Sequence, residues 1–170
     1  MVKPARFTTD QILDAATAAV HMHWRNATVG HVTTVLKAPS GSIYHRFASR
    51  DALFAAAWIR AVRRFHSQFD AIGDIDDPIE GIVETGMLIP AFCRAHPQDA
   101  RMLTVFRYRD LEADPPAGLA DDLRDLNAPV RALLSQLAER RYGRVSPRGL
   151  ALVALAARDT PLGMVRSLIG

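Results

Sequence analysis

The chain has 170 residues, 49% of them hydrophobic and 23% charged, which is the balance of a soluble globular protein with one or two small cores. Its single cysteine, Cys93, excludes an internal disulfide and a multi-cysteine zinc site, and fits a reducing cytoplasm. The net charge of +3 hides an asymmetry: residues 1–68 hold nine Lys/Arg against three Asp, net +6, while the rest hold 12 basic and 15 acidic side chains, net −3, which points the front half at a polyanion.

Apolar residues recur at helical spacing along the whole sequence, with no alternating strand and no Asn-Gly or Asp-Gly hairpin, so the expected fold is all-α. The first helix is expected from about Thr9 to His21 or His23, with Thr8 and Gln11 as a capping box and Ile12, Leu13, Ala16, Ala19 and Val20 as its buried face. Phe7 precedes the cap, where it can staple onto the first turn. Asp10 and Asp14 interrupt this apolar stretch and speak against a signal peptide. A second helix is expected from Val29 to Leu36 behind an N-cap at Thr28, with Val29, Val32, Val35 and Leu36 at helical spacing. Pro39 then disfavours helix at Ala38. A third, short helix should run from Ser40 to about Arg46, and a fourth from its cap at Ser49 to about Asp70, burying Ala52, Leu53, Ala56, Ile59 and Phe65.

Residues 73–78, GDIDDP, form the clearest break. A fifth helix is expected to follow to about Ala95, kinked or broken at Pro90, and a sixth from Asp99 to about Glu112. Beyond a loop at Asp114 to Gly118, a long helix should run from Leu119 to Tyr142 and stop at Gly143, its Glu139 to Tyr142 end solvated. Ser146-Pro147 opens another, rich in alanine and leucine, and Thr160-Pro161 starts a final segment to Gly170. The longest strongly apolar run, Leu150 to Ala157, is too short to span a bilayer, so no membrane partner is expected.

Residues 28–54 carry the most information. Two short amphipathic segments split by Lys37-Ala38-Pro39 match the helix-turn-helix, whose second helix fits the major groove of DNA. Between Ser40 and Phe47 only Ile43 and Phe47 are strongly apolar, leaving a polar face of hydroxyls, Tyr44, His45 and Arg46. A helix N-terminus is an anion site, so Thr28 suits a phosphate clamp; Tyr44 and His45 can each donate to a phosphate, and Arg50 can add a charged contact. Ser40, Gly41 and Ser42 are small enough for the backbone to approach base edges; the competing reading of Gly41 and Ser42 is a tight capped turn, and Tyr44 can also pack on the core. His31 reads as a surface side chain, and Arg60, Arg63 and Arg64 as a solvated helix face that raises the local positive potential.

The run Gly41-Ser42-Ile43-Tyr44-His45-Arg46-Phe47, followed by Ala48-Ser49-Arg50-Asp51-Ala52-Leu53-Phe54, resembles the signature of TetR-type transcriptional regulators over residues 7–60. The resemblance implies a helix-turn-helix DNA-binding domain in residues 1–50, a connecting helix over 50–70, and a helical ligand-binding and dimerisation domain over 71–170. The DNA contacts it implies fall on Thr28, Lys37, Ser40, Gly41, Ser42, Tyr44, His45, Arg46 and Arg50. Two departures stand out. Lys37 replaces a glycine usual in the family's turn, and Pro39-Ser40 replaces Ser-Lys, removing a common phosphate or base contact.

The resemblance further implies a homodimer on a near-palindromic double-stranded DNA operator, formed through the last two helices, the final one here ending short at Gly170. It also implies a small-molecule inducer, of unstated identity, bound in the second domain. Candidate pocket residues are Met87, Leu88, Phe92, Cys93, Met102, Phe106 and Tyr108, with ordinary core packing as the competing reading for each. Cys93 reads as a structural thiol rather than a redox sensor. No phosphate-loop, dinucleotide, nucleophile-elbow, zinc-protease or Glu-x-x-His motif is present, so neither an enzyme nor a cofactor is expected. His21 and His23, two apart, do not share a helix face and are not read as a metal pair. The expected function is a ligand-responsive repressor; a helical interaction module without DNA binding is the alternative.

Overall fold

The computed structural model describes residues 7–169, and every regular element among them is helical. Three front helices start at side-chain caps, on Thr8, Thr28 and Ser49. Thr8 Oγ1 accepts from the Gln11 N–H at 3.1 Å and Gln11 Oε1 accepts from the Thr8 N–H at 2.8 Å, opening α1 (Thr9–His23). A 3-10 turn, Trp24–Asn26, leads to α2 (Val29–Leu36), headed by Thr28. Lys37 closes α2 at φ 53°, the conformation a glycine adopts without strain. The short α3 (Gly41–Tyr44) continues in turn-type hydrogen bonds as far as Phe47. Ser49 Oγ, accepting from Ala52 N–H at 3.0 Å, starts α4 (Arg50–His66).

α4 is the central element. Leu53, Phe54, Ala55, Ala57, Trp58, Ile59, Ala61 and Val62 are all buried, so it is enclosed on more sides than the five apolar positions predicted for it. The first core gathers Ile12, Leu13, Ala16 and Val20 of α1, Val32 of α2, Ile43 of α3 and Phe47 around α4. Back-half residues Met102, Leu111, Leu123 and Leu126 complete it. Val35 escapes this packing and is exposed, while Phe7 packs against the cluster edge.

The back half differs from the sequence expectation at five places. α4 ends at His66 rather than near Asp70; tight turns through Ser67 to Phe69 then lead to a single helical turn, α5 (Asp70–Gly73). Behind Asp77 as N-cap, α6 (Pro78–Ala95) runs on past Pro90, the expected point of breakage. The region expected as one helix from Asp99 is two, α7 (Pro97–Leu103) and α8 (Tyr108–Ala113). Thr104 ends α7: its hydroxyl donates to Arg101 O at 2.8 Å and accepts from Trp24 Nε1 at 2.9 Å, so a tertiary bond competes with helix continuation. The expected long helix from Leu119 is also two, α9 (Ala120–Arg124) and α10 (Ala128–Tyr142), because Pro129 lacks the N–H that continuation requires and sits instead in the first turn of α10.

Gly143, at φ 70°, stops α10, and Ser146 with Pro147 opens α11 (Pro147–Ala154). No new segment begins at Thr160-Pro161: a π-helical turn over Leu155–Asp159 carries the chain straight into α12 (Thr160–Ile169). The expected end at Gly170 lies outside the described residues. A second core unites Phe69 and Ile72 with Leu133, Leu134, Leu137 and Ala138 of α10 and Val153, Ala154 and Ala157. α6 meets the π turn and the start of α12 closely; a Cβ on Gly86 would lie 3.6 Å from Ala156 O and 3.3 Å from Pro161 Cγ. Among the described residues, no helix is long and apolar enough to cross a membrane.

Candidate nucleic-acid interface

The buried residues of α2 and α3 fix which faces remain open. Val29 and Val32 of α2 and Ile43 of α3 point into the first core. Thr28, Lys37, Ser40, Gly41, Tyr44 and His45 are exposed, and Ser42 is half-buried. Tyr44 keeps 53% of its surface open, so its phenol is available to an outside partner. Thr28 and Lys37 mark opposite ends of α2, and the other five make up α3 and its flanks. Thr28 Oγ1 accepts from the His31 N–H at 3.2 Å, which leaves the hydroxyl proton free to be donated.

Two predicted cations bond to backbone carbonyls, Arg46 half-buried and Arg50 still exposed over 43% of its side chain. Arg46 donates to the Phe7 carbonyl, tying α3 to the chain ahead of α1. Arg50 donates to Ala27 O from Nε at 3.1 Å and Nη2 at 2.8 Å, and to Arg25 O at 3.3 Å. It thereby fixes the two residues' carbonyls just before Thr28, and its guanidinium also lies 4.9 Å from the Phe54 ring centroid. Both arginines therefore position the motif. On the expected solvated face of α4, Arg63 and Arg64 are exposed and Arg60 is half-buried, and each is ion-paired: Arg60 with Asp14 at 2.7 Å, Arg63 with Asp122 at 2.6 Å and Arg64 with Asp99 at 2.5 Å.

His31 is the residue that sequence reasoning undervalued. Its Nδ1 accepts from the Thr28 N–H at 3.3 Å, completing a second capping box. Its ring stacks on His23 at 3.7 Å between centroids and 19° between planes. The available signal was a Thr-x-x-His spacing, with imidazole standing where Glu or Gln is usual.

The seven pocket candidates do not converge. Met102 is fully buried in the first core, with Phe106 and Tyr108 packed against its edge; the single Tyr108 hydroxyl proton is shared between Glu112 Oε1 at 2.8 Å and Leu123 O at 3.0 Å, and burial pushes its phenol up. Leu88 packs on the second core, and Phe92 is buried with its ring 5.2 Å from that of Phe65. Met87 is exposed. Cys93 is half-buried and burial pushes its thiol up, which disfavours the reactive thiolate. Two open hollows lie elsewhere. One, of about 400 Å³, is lined by Arg63, His66 and Asp70 against Asp121, Asp125 and Pro129; the other, of about 350 Å³, lies between α1, α4 and the head of α7. Beside the first, desolvation lowers the His66 imidazole to about 4, opposed in part by a hydrogen bond to the Leu126 backbone.

No protein-family model matches the sequence, and no curated protein matches it either. Solved structures do. The chain is similar to a transcriptional regulator from Rhodococcus sp. Rha1, with TM-score 0.74 and 20% identity, covering 96% of this chain and 84% of that one. It is similar to a fatty acid degradation regulator from Bacillus halodurans, with TM-score 0.60 and 16% identity over 95% of this chain and 96% of the other. A putative fatty acid metabolism regulator from Clostridium perfringens aligns at TM-score 0.57 and 16% identity over 94% and 83% of the two chains. At these identities the likeness is one of fold: the chain has an all-helical fold shared with solved transcriptional regulators.

Proposed function

We propose that this chain is a DNA-binding transcriptional regulator of the TetR type: a ligand-responsive repressor that binds a near-palindromic operator as a homodimer. The single observation that carries the reading is the exposed polar face of α2 and α3, held by buried Val32 and Ile43 and braced by Arg46 and Arg50. In this role the N-terminus of α2, with the Thr28 hydroxyl, receives one phosphate, and Tyr44 and His45 donate to others. Ser40, Gly41 and Ser42 lead α3 into the major groove, where a small side chain lets the backbone reach base edges. Residues 1–50 form the reader, α4 the connector and residues 71–170 the ligand and dimerisation part.

Leu155 of the π turn and Leu162, Met164 and Leu168 of α12 are exposed, and this apolar surface supports dimerisation through the last helices, which would cover part of it. A two-fold dimer presents two identical reading heads, hence the near-palindromic operator. The inducer acts by linkage, preferring the arrangement that does not bind DNA.

Tyr44→Ala is expected to weaken binding to operator and to unrelated duplex alike, by about tenfold for one lost hydrogen bond to a charged phosphate. Ser40→Ala is expected instead to change which sequences are preferred. Fluorescence anisotropy with the two duplexes separates the cases. Undiminished DNA affinity in Tyr44→Ala would remove its phosphate role.

A further inference from the structure

We propose that the stacked His23–His31 pair is a proton-sensitive latch on the reading head, and that acid opens the start of α2 and lowers DNA affinity. The output of the latch rests on the DNA-binding role proposed above; the latch itself rests on geometry. His31 Nδ1 accepts the Thr28 N–H, so the ring is neutral when the capping box is closed. Imidazole is the side chain that ordinarily changes charge between pH 5 and 8. A proton on Nδ1 turns this acceptor into a donor facing another donor, and the reciprocal half of the box is lost.

The surroundings make that proton disruptive rather than merely tolerated. His31 lies in the first turn of α2, where the helix dipole disfavours positive charge, while His23 lies in the last turn of α1, where the dipole favours it. The two rings, 3.7 Å apart, repel once both are charged. The charged groups of the neighbouring elements add to the effect. Arg25 occupies the turn between the helices, Arg50 holds the Ala27 and Arg25 carbonyls, and Arg101 of α7 donates to His21 O at 3.1 Å. Lys37 closes the far end of α2, and His21 is the remaining titratable group on the last turn of α1. The carboxylates are engaged: Asp51 with Arg50, Asp10 and Asp14 with Arg60. Among the described residues, no carboxylate pairs with either imidazole.

Thr28 is the residue assigned to clamp a phosphate, so opening the box disorders the anion site itself, and this loss must outweigh the attraction of the added His31 charge for the phosphate. His31→Gln is the informative variant, because Gln is a favoured capping-box residue and gains no proton. In the DNA-free full chain, the Thr28 amide resonance is expected to titrate between pH 7.5 and 5.5 in the wild type and to stay fixed in His31→Gln. With a random-sequence duplex, the ratio of wild-type to His31→Gln Kd is expected to be near one at pH 7.5 and to rise about fivefold at pH 5.5, the effect of losing a helix cap. His45 contributes equally to both proteins and cancels. A Thr28 amide that does not titrate, or titrates equally in both proteins, overturns the latch. A Kd ratio that stays flat or falls while DNA is bound overturns its output. Failure of both proteins to bind DNA at any pH is a different result, which overturns the DNA role and the latch's output with it.

Discussion

Arg64→Ala is expected to destabilise the folded chain by about 2–4 kcal/mol, because it strands a buried carboxylate. Asp99 is the one buried charged residue among those described, its side chain only 5% exposed, and Arg64 Nη1 meets its Oδ2 at 2.5 Å. Removing the guanidinium leaves that charge without its ion-pair partner. Two features hold the loss below the extreme. Arg64 is itself about half exposed, so water already screens the pair, and Asp99 lies in the first turn of α7, where the dipole favours an anion. Asp99→Asn removes the charge together with most of its desolvation and is expected to cost about 1 kcal/mol. Urea unfolding of the two variants checks the order. A loss below about 0.5 kcal/mol in Arg64→Ala would mean that Asp99 is solvated by another route. The pair joins α4 to α7, so it also fastens α4 to the back half.

Folding stability is expected to fall as pH drops from about 6.5 to about 4 because of His66. In the unfolded chain this imidazole titrates at its ordinary 6.5, whereas burial lowers it to about 4 in the folded protein. Between those values the unfolded state binds more protons. The contribution is therefore fully present above 6.5 and is lost as pH falls towards 4. The interval corresponds to at most about 3 kcal/mol, and the ring's partial exposure brings the expected loss nearer 1–2 kcal/mol. Comparing urea unfolding of wild type and His66→Gln from pH 7.5 to 4.5 cancels the other titrating groups. The two stability curves should converge or cross by that amount across the interval; parallel curves would show that His66 is not desolvated.

Local chemistry made the capped helix starts and one helix end legible. Thr8 with Gln11, Thr28, Ser49 and Ser146 each announce a helix start by a side-chain oxygen placed to accept a free N–H, and Gly143 announces an end. What escaped was tertiary or depended on the direction of an effect. Nothing near Thr104 in sequence reveals that Trp24 reaches across from α1's end to hold its hydroxyl. Pro90 and Pro129 have the same missing donor, yet one sits inside α6 and the other in the first turn of α10. The π turn before Pro161 is a third accommodation of the same residue type. The polar face of α3 could be read from Ile43 and Phe47 alone, since two apolar anchors leave the other side chains open. Arginine roles could not: whether Arg46 or Arg50 reaches outward is decided by carbonyls distant in sequence, at Phe7 and Ala27. The pocket candidates failed to converge for a related reason, because apolar residues on adjacent helices can face two different cores, as Leu88 and Met102 do.

Selection of bound fragments from a random duplex DNA library, with affinity followed against salt, tests DNA reading by α2 and α3 most directly. The expected result is a two-fold symmetric motif, with affinity falling on the order of 10³ between 50 and 200 mM salt if about six phosphates are contacted. A folded protein that enriches no sequence and shows no salt-dependent affinity for duplex DNA would contradict the account and favour a helical protein-interaction module.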